Sequence, residues 1–173
     1  GVKWYSSNDT GYIDVRLRRQ YNISFDANGG SGAPGTQTKL HGDTLTLSGT
    51  KPVKPLWQFK GWATDINATE AQYIPGGNYN SNGDQTLYAV WGYPTGSCGD
   101  NATWTYKENG LYITGTGAMT DYASDSAVPW HEYLDHIEAI HIDNGITAIG
   151  NYAFAGCSKV VSIELPESIT GIG

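Results

Sequence analysis

"AIHIDNGITAIG" at residues 139–150 and "SIELPESITGIG" at residues 162–173 carry the same wording one period apart. Ile137 aligns with Val160, Ile140 with Ile163, Ile142 with Leu165, Ile146 with Ile169, Ile149 with Ile172 and Gly150 with Gly173, each pair 23 residues apart. A fixed period of that length predicts a solenoid, because one unit cannot bury its own apolar edge and must stack on a neighbour. "AIHI" and "SIEL" read as its strands and "AFAGCSKV" as the return segment. Ile140 and Ile142 then point inward, whereas Ala139, His141 and Asp143, with Ser162 and Glu164 one rung on, form an exposed candidate face. On this reading the chain stops in mid-array. Ile163, Leu165, Ile169 and Ile172 should leave a partly open apolar end that another molecule covers or that frays.

The remaining text divides the 173 residues in two. Residues 1–92 carry eight Lys/Arg against seven Asp/Glu, and residues 93–173 carry two against ten, so a net of +1 abuts a net of −8. The acidic half argues against nucleic acid or an anionic membrane surface as a partner, since both need clustered cations on the protein. Arg16, Arg18 and Arg19 form one basic cluster, which reads as a solvated strand face. No stretch has the apolar length of a membrane span, so no membrane insertion is expected. The chain begins at Gly1 with neither an initiator Met nor a signal-like segment, and reads as an excised piece. Twenty-three glycines, six tryptophans and twelve tyrosines describe a turn-rich chain of short, aromatic-rich strands.

Upstream of the repeat, "ATWTYKENGLYITGTG" predicts a hairpin turning at Glu108-Asn109-Gly110. "AVPWHEYLDHI" predicts one short amphipathic helix, with Pro129 near its start and Trp130, Tyr133, Leu134 and Ile137 on one face. In the first half, "YNISFDANGG" puts Tyr21, Ile23 and Phe25 on one strand face and ends at Asn28-Gly29-Gly30. "GDTLTLSG", "LWQFKGW" and "QTLYAVW" supply further short strands, and "TEAQY" is compatible with a helical turn.

These residues carry two resemblances. "YNISFDANGG", "FKGWAT", "YIPGG" and the closing "LYAVW" resemble the Listeria-Bacteroides repeat, also called the internalin B-type repeat. The resemblance implies a β-grasp-like module found in tandem on secreted and wall-attached bacterial proteins. "ITAIGNYAFAGCSKVVSIELPESITGIG" is similar to BspA-type leucine-rich repeats, and "CGDN", "TGTGAM" and "PWHEY" resemble the region that precedes such arrays. The fold expected is mainly β: a β-grasp-like module, then the capped start of a leucine-rich-repeat solenoid with little helix. Its parts are an N-terminal strand extension (1–20), the repeat module (21–92), a linker (93–97), an N-terminal cap (98–136) and truncated leucine-rich repeats (137–173).

Catalytic wording is lacking. In "HEYLDH", His131 and His136 are five residues apart, which on an α-helix turns the imidazoles ~140° away from each other, so no zinc pair forms. "DANGG" and "SNGD" lack the spaced carboxylates and closing Glu of a calcium loop and read as turns. No nucleophile elbow, P-loop or dinucleotide fingerprint occurs. Cys157 reads as a free core thiol, with a Cys98–Cys157 bridge as the alternative. No catalytic residue, cofactor site or metal site is therefore expected.

Together these readings predict a non-catalytic piece of a bacterial secreted or cell-surface protein, a spacer and display module joined to an interaction solenoid, with adhesion implied by the resemblance. Its expected partner is a host or neighbouring-cell surface protein or glycan engaged by the full array. Self-association through the open C-terminal rung is a second expectation. The alternative from another class is an accessory of a larger secreted carbohydrate- or protein-degrading enzyme. A third reading, sugar stacking on Trp4, Trp57 or Trp62, competes with a structural role for these rings in a small β core.

Overall fold

The computed structural model describes residues 18–173. The expected extension over residues 1–20 falls almost wholly outside the described residues, as do Trp4 and Arg16. The chain divides between Gly92 and Tyr93 into two compact units.

In the first unit, β1 (Gln20–Asp26), β2 (Gln37–Leu40), β4 (Gln58–Ala63) and β6 (Gln85–Gly92) form a sheet in the order β2-β1-β6-β4. β1 runs parallel to β6, and each of these is flanked by an antiparallel partner. That mixed order suits a β-grasp, but no helix occupies the crossing from β2 to β4. The crossing holds β3 (Leu45–Thr46), which pairs with β5 (Asn78–Tyr79).

"TEAQY" forms no helical turn, contrary to the sequence expectation. The ladder of β4 shifts register at Gly61, and Trp62 then bonds to Tyr73 through N–H to carbonyl at 2.8 Å. Only glycine permits this approach, because a Cβ at Gly61 would lie 2.6 Å from the Tyr73 carbonyl oxygen. The segment is drawn onto the sheet instead of coiling on itself. Trp62 is fully buried among Phe25 and Phe59, with ring centroids 4.9 and 5.0 Å away. It belongs to the core with Ile23, Leu47, Tyr79 and Leu87. No sugar can stack on it.

The second unit contains β7 (Thr95–Ser97), β8 (Asn101–Lys107), β9 (Gly110–Ala118), β10 (Ala139–Ile142), β11 (Ile146–Ile149), β12 (Ser162–Glu164) and β13 (Gly171–Ile172). The expected linker over residues 93–97 is corrected here, since Thr95–Ser97 pairs with Thr103–Thr105. Its Gly/Pro/Ser wording hides a paired edge: the Thr95 hydroxyl donates to the Trp104 carbonyl at 2.7 Å, and the Tyr106 N–H donates to the Pro94 carbonyl.

β8 and β9 form the predicted hairpin. Its two-residue turn places Glu108 and Asn109 at φ of 51° and 61°, the left-handed pair that suits the right-handed twist of the strands. β9 then takes a second role. Leu111 and Ile113 pair in parallel register with Ile140 and Ile142, and beyond the Gly115–Gly117 kink the end of β9 pairs with β11. One strand thus underlies both strands of the first repeat.

The segment predicted as an amphipathic α-helix is a 3₁₀ helix, His131–His136, preceded by a 3₁₀ turn at Asp125–Ala127. Six residues with no side-chain cap cannot recover the cost of nucleating an α-helix, so the shorter i→i+3 bonds prevail. Of its expected apolar face, Trp130, Leu134 and Ile137 are buried and Tyr133 is half-buried. The Trp130 indole N–H donates to the Ala153 carbonyl at 3.1 Å and ties this segment to the return segment of the next repeat.

Candidate functional site

The repeat strands pair as their spacing requires: Ala139 opposes Ser162, Ile140 opposes Ile163 and His141 opposes Glu164. Inward Ile140 and Ile142 are buried, whereas Asp143, Ser162 and Glu164 are exposed and Ala139 and His141 half-exposed. All five candidate residues therefore leave the apolar interior.

The outward face is wider than two rungs. Register carries one cross-strand row from Thr95 on β7 to Thr105 on β8, Tyr112 on β9, His141 on β10 and Glu164 on β12. The row spans four inter-strand steps, or ~19 Å. Three of the four neighbouring pairs touch through their side chains. The Thr95 and Thr105 hydroxyls lie 3.1 Å apart, the Tyr112 and His141 rings stack with centroids 4.5 Å apart, and His141 Nδ1 lies 3.4 Å from Glu164 Oε2. Lys107 Nζ sits 4.4 Å from the Tyr112 ring centroid. Beside the row, the Thr103 and Thr114 hydroxyls lie 2.9 Å apart.

Thr95, Thr105 and Tyr112 were not among the residues expected to form this face. Leu111 lies 29 residues before Ile140, so the 23-residue period does not reach β9. Alternation in "TWTY" and "LYIT", read together with the hairpin register, is the signal that would have found them.

The exposed His141–Glu164 pair contributes under ~1 kcal/mol. The Tyr112–His141 stack adds a flat, semi-rigid surface. Among the described residues, no three His, Cys, Asp or Glu side chains converge to hold a metal. Cys98 and Cys157 are free thiols, each pushed up to about 11 by burial, which keeps them protonated and poorly nucleophilic near neutral pH. Of the three tryptophans considered for sugar stacking, Trp57 is partly exposed, with Lys54 Nζ 4.8 Å from its ring centroid.

A second feature lies at the end of the repeat. Ile163, Leu165 and Ile172 are 45%, 50% and 68% exposed, and with Ile149 and Phe154 they line a groove of about 610 Å³. The expected apolar end is open in this structure; Ile169 is half-buried.

Residues 21–90 match the model of the Listeria-Bacteroides repeat domain, and residues 131–173 match that of the BspA type leucine rich repeat region, in that order along the chain. Families of these two kinds usually belong to bacterial surface or secreted proteins and are typically non-catalytic. Among solved structures the chain is similar to a leucine-rich repeat protein from Eubacterium ventriosum, with 29% identity over 47% of this chain and a TM-score of 0.45. The match spans 22% of that protein's chain. No curated protein matches the chain.

Proposed function

We propose that the chain is a non-catalytic part of a bacterial surface or secreted adhesin, in which the first unit is a spacer and the second presents a recognition face for a cell-surface protein or glycan. The supporting observation is the row Thr95–Thr105–Tyr112–His141–Glu164, continuous in strand register. An ordinary protein interface buries ~800 Å² per partner, which a strip five strands wide and a few residues long does not reach. Further rungs of the same kind would lengthen the sheet and raise affinity.

The reading is tested by applying the chain to an array of mammalian cell-surface glycans and matrix proteins beside two variants. Tyr112→Ala is expected to weaken capture about tenfold or more, in the range of an aromatic contact. Trp57→Ala is expected to leave capture unchanged. The reverse pattern would move recognition to the first unit and overturn its assignment as a spacer.

A further inference from the structure

Lys39 is the one buried charged side chain among the described residues, at 2% exposure. It lies on β2, an edge strand, and no described carboxylate forms an ion pair with it. Its Nζ is 2.7 Å from Oδ1 of Asn82, in the loop between β5 and β6, 43 residues along the chain. The same Oδ1 accepts the Gly42 N–H at 3.0 Å. An amine buried without a counter-charge is costly, and its neutral partners, the Asn82 amide, the Leu40 carbonyl at 3.4 Å and the Tyr21 ring centred 6.0 Å away, compensate it poorly. The arrangement does have the parts of an amide exchange: a buried amine against a carboxamide, and a backbone donor fixed on the oxygen where negative charge would develop. Asp43 follows Gly42 and lines with Lys39 a cavity of about 220 Å³; its Oδ1 pairs with the Arg18 guanidinium, which leaves Oδ2 as the oxygen able to accept a proton.

We propose that Lys39 and Asn82 join in an intramolecular isopeptide bond. Oδ2 of Asp43, the oxygen that Arg18 does not engage, takes one proton from the Lys39 ammonium, and the freed Nζ attacks Cγ of Asn82. The new N–C bond pushes an electron pair onto Oδ1, which the Gly42 N–H holds. The pair then returns, the Cγ–Nδ2 bond breaks, and Nδ2 leaves as ammonia after taking the second proton of Nζ. Asp43 gives its proton to the departing ammonia. No oxidant, metal or further reactant is required. The product clamps the edge strand β2 to the loop that leads into β6, so tension along the chain bypasses residues 40–81. This mechanical use rests on the spacer reading above; the bond itself does not.

Intact-mass measurement of the denatured, purified chain is expected to show the loss of one ammonia, ~17 Da. Protease digestion should give a branched peptide joining Lys39 to Asn82. Lys39→Arg and Asn82→Ser should each restore the sequence mass while the near-ultraviolet circular dichroism stays native, and Asp43→Ala should slow the loss at least tenfold. An unmodified wild-type mass would overturn the proposal. So would a ~17 Da loss or a ~1 Da gain confined to an unbranched peptide containing Asn82-Gly83, which marks cyclisation onto the Gly83 nitrogen instead. Bond formation at the wild-type rate in Asp43→Ala would overturn the role given to that carboxylate.

Discussion

Ile149 and Ile172 stand directly opposite each other on successive repeat strands, yet Ile149 is 7% exposed and Ile172 is 68% exposed. The two have the same side chain at the same place in the same wording. What differs is the neighbour: both line the groove, but Ile149 has the next rung paired against it. Burial in this unit is thus conferred by the next layer and not by the repeat itself, which is the physical meaning of a solenoid.

This asymmetry predicts unequal costs for equal truncations. Ile140→Ala removes a side chain that is 2% exposed and should cost about 2 to 5 kcal/mol. Ile163→Ala, at 45% exposure, should cost about 1 kcal/mol or less. Urea unfolding of both variants measures the difference, and equal costs would show that the two rungs share one environment.

The glycine that closes each repeat is expected to matter by position as well. A Cβ on Gly150 would meet the Thr120 carbonyl oxygen at 2.0 Å, so Gly150→Ala must push neighbouring backbone apart and should cost at least ~2 kcal/mol. A Cβ on Gly173 would meet Asn151 Oδ1 at 2.5 Å and the Asn151 backbone nitrogen at 2.7 Å, a looser fit than at Gly150. Gly173→Ala should therefore lower the melting temperature less than Gly150→Ala, and equal drops would contradict this order.

The hairpin turn offers a stabilising substitution. Glu108 has φ of 51°, a left-handed conformation that costs an ordinary residue roughly 1 to 2 kcal/mol and glycine almost nothing. Glu108→Gly should raise stability by about 0.5 to 1 kcal/mol after the loss of unfolded-state entropy is counted. Thermal unfolding checks this, and a lower melting temperature would show that Glu108 makes a contact worth more than the strain.

Alkaline pH should destabilise the fold. Burial raises the Cys98 and Cys157 thiols from 9.0 to about 11, and burial first, with Cys98 nearby, raises Tyr122 from 10.0 to about 12. Above pH 9 the unfolded chain sheds thiol protons that the folded chain retains, so the unfolded state binds fewer protons and stability falls as pH rises. The thiol contribution is fully present below pH 9 and is lost by about pH 11. Cys98→Ala should flatten the decline, as urea midpoints between pH 8 and 11 would show.

Much of this was legible from spacing. The 23-residue period gave the partners of Ala139, Ile140 and His141, and alternation gave their inward and outward faces. "YNISF" and "LYAVW" were legible as strands, and the structure makes them neighbours in parallel, a pairing that alternation alone does not give. Three features lay beyond such reading. β9 serves as the layer beneath the first repeat at a spacing of 29, after a glycine kink, so no period links it to β10. The 3₁₀ form of His131–His136 depends on its lack of caps, while its apolar spacing fits either helix. Lys39 and Asn82 meet across 43 residues through sheet topology, with no local signal in either segment.

The central claim is that recognition resides on the outward row of the second unit. Amide chemical-shift mapping tests it most directly, with the labelled chain titrated by the tightest-binding glycan or matrix protein fragment from the array. The predicted result is a set of shifts concentrated at Thr105, Tyr112, His141 and Glu164 and absent in Tyr112→Ala. Shifts concentrated in residues 21–92, or a pattern unchanged by Tyr112→Ala, would contradict it.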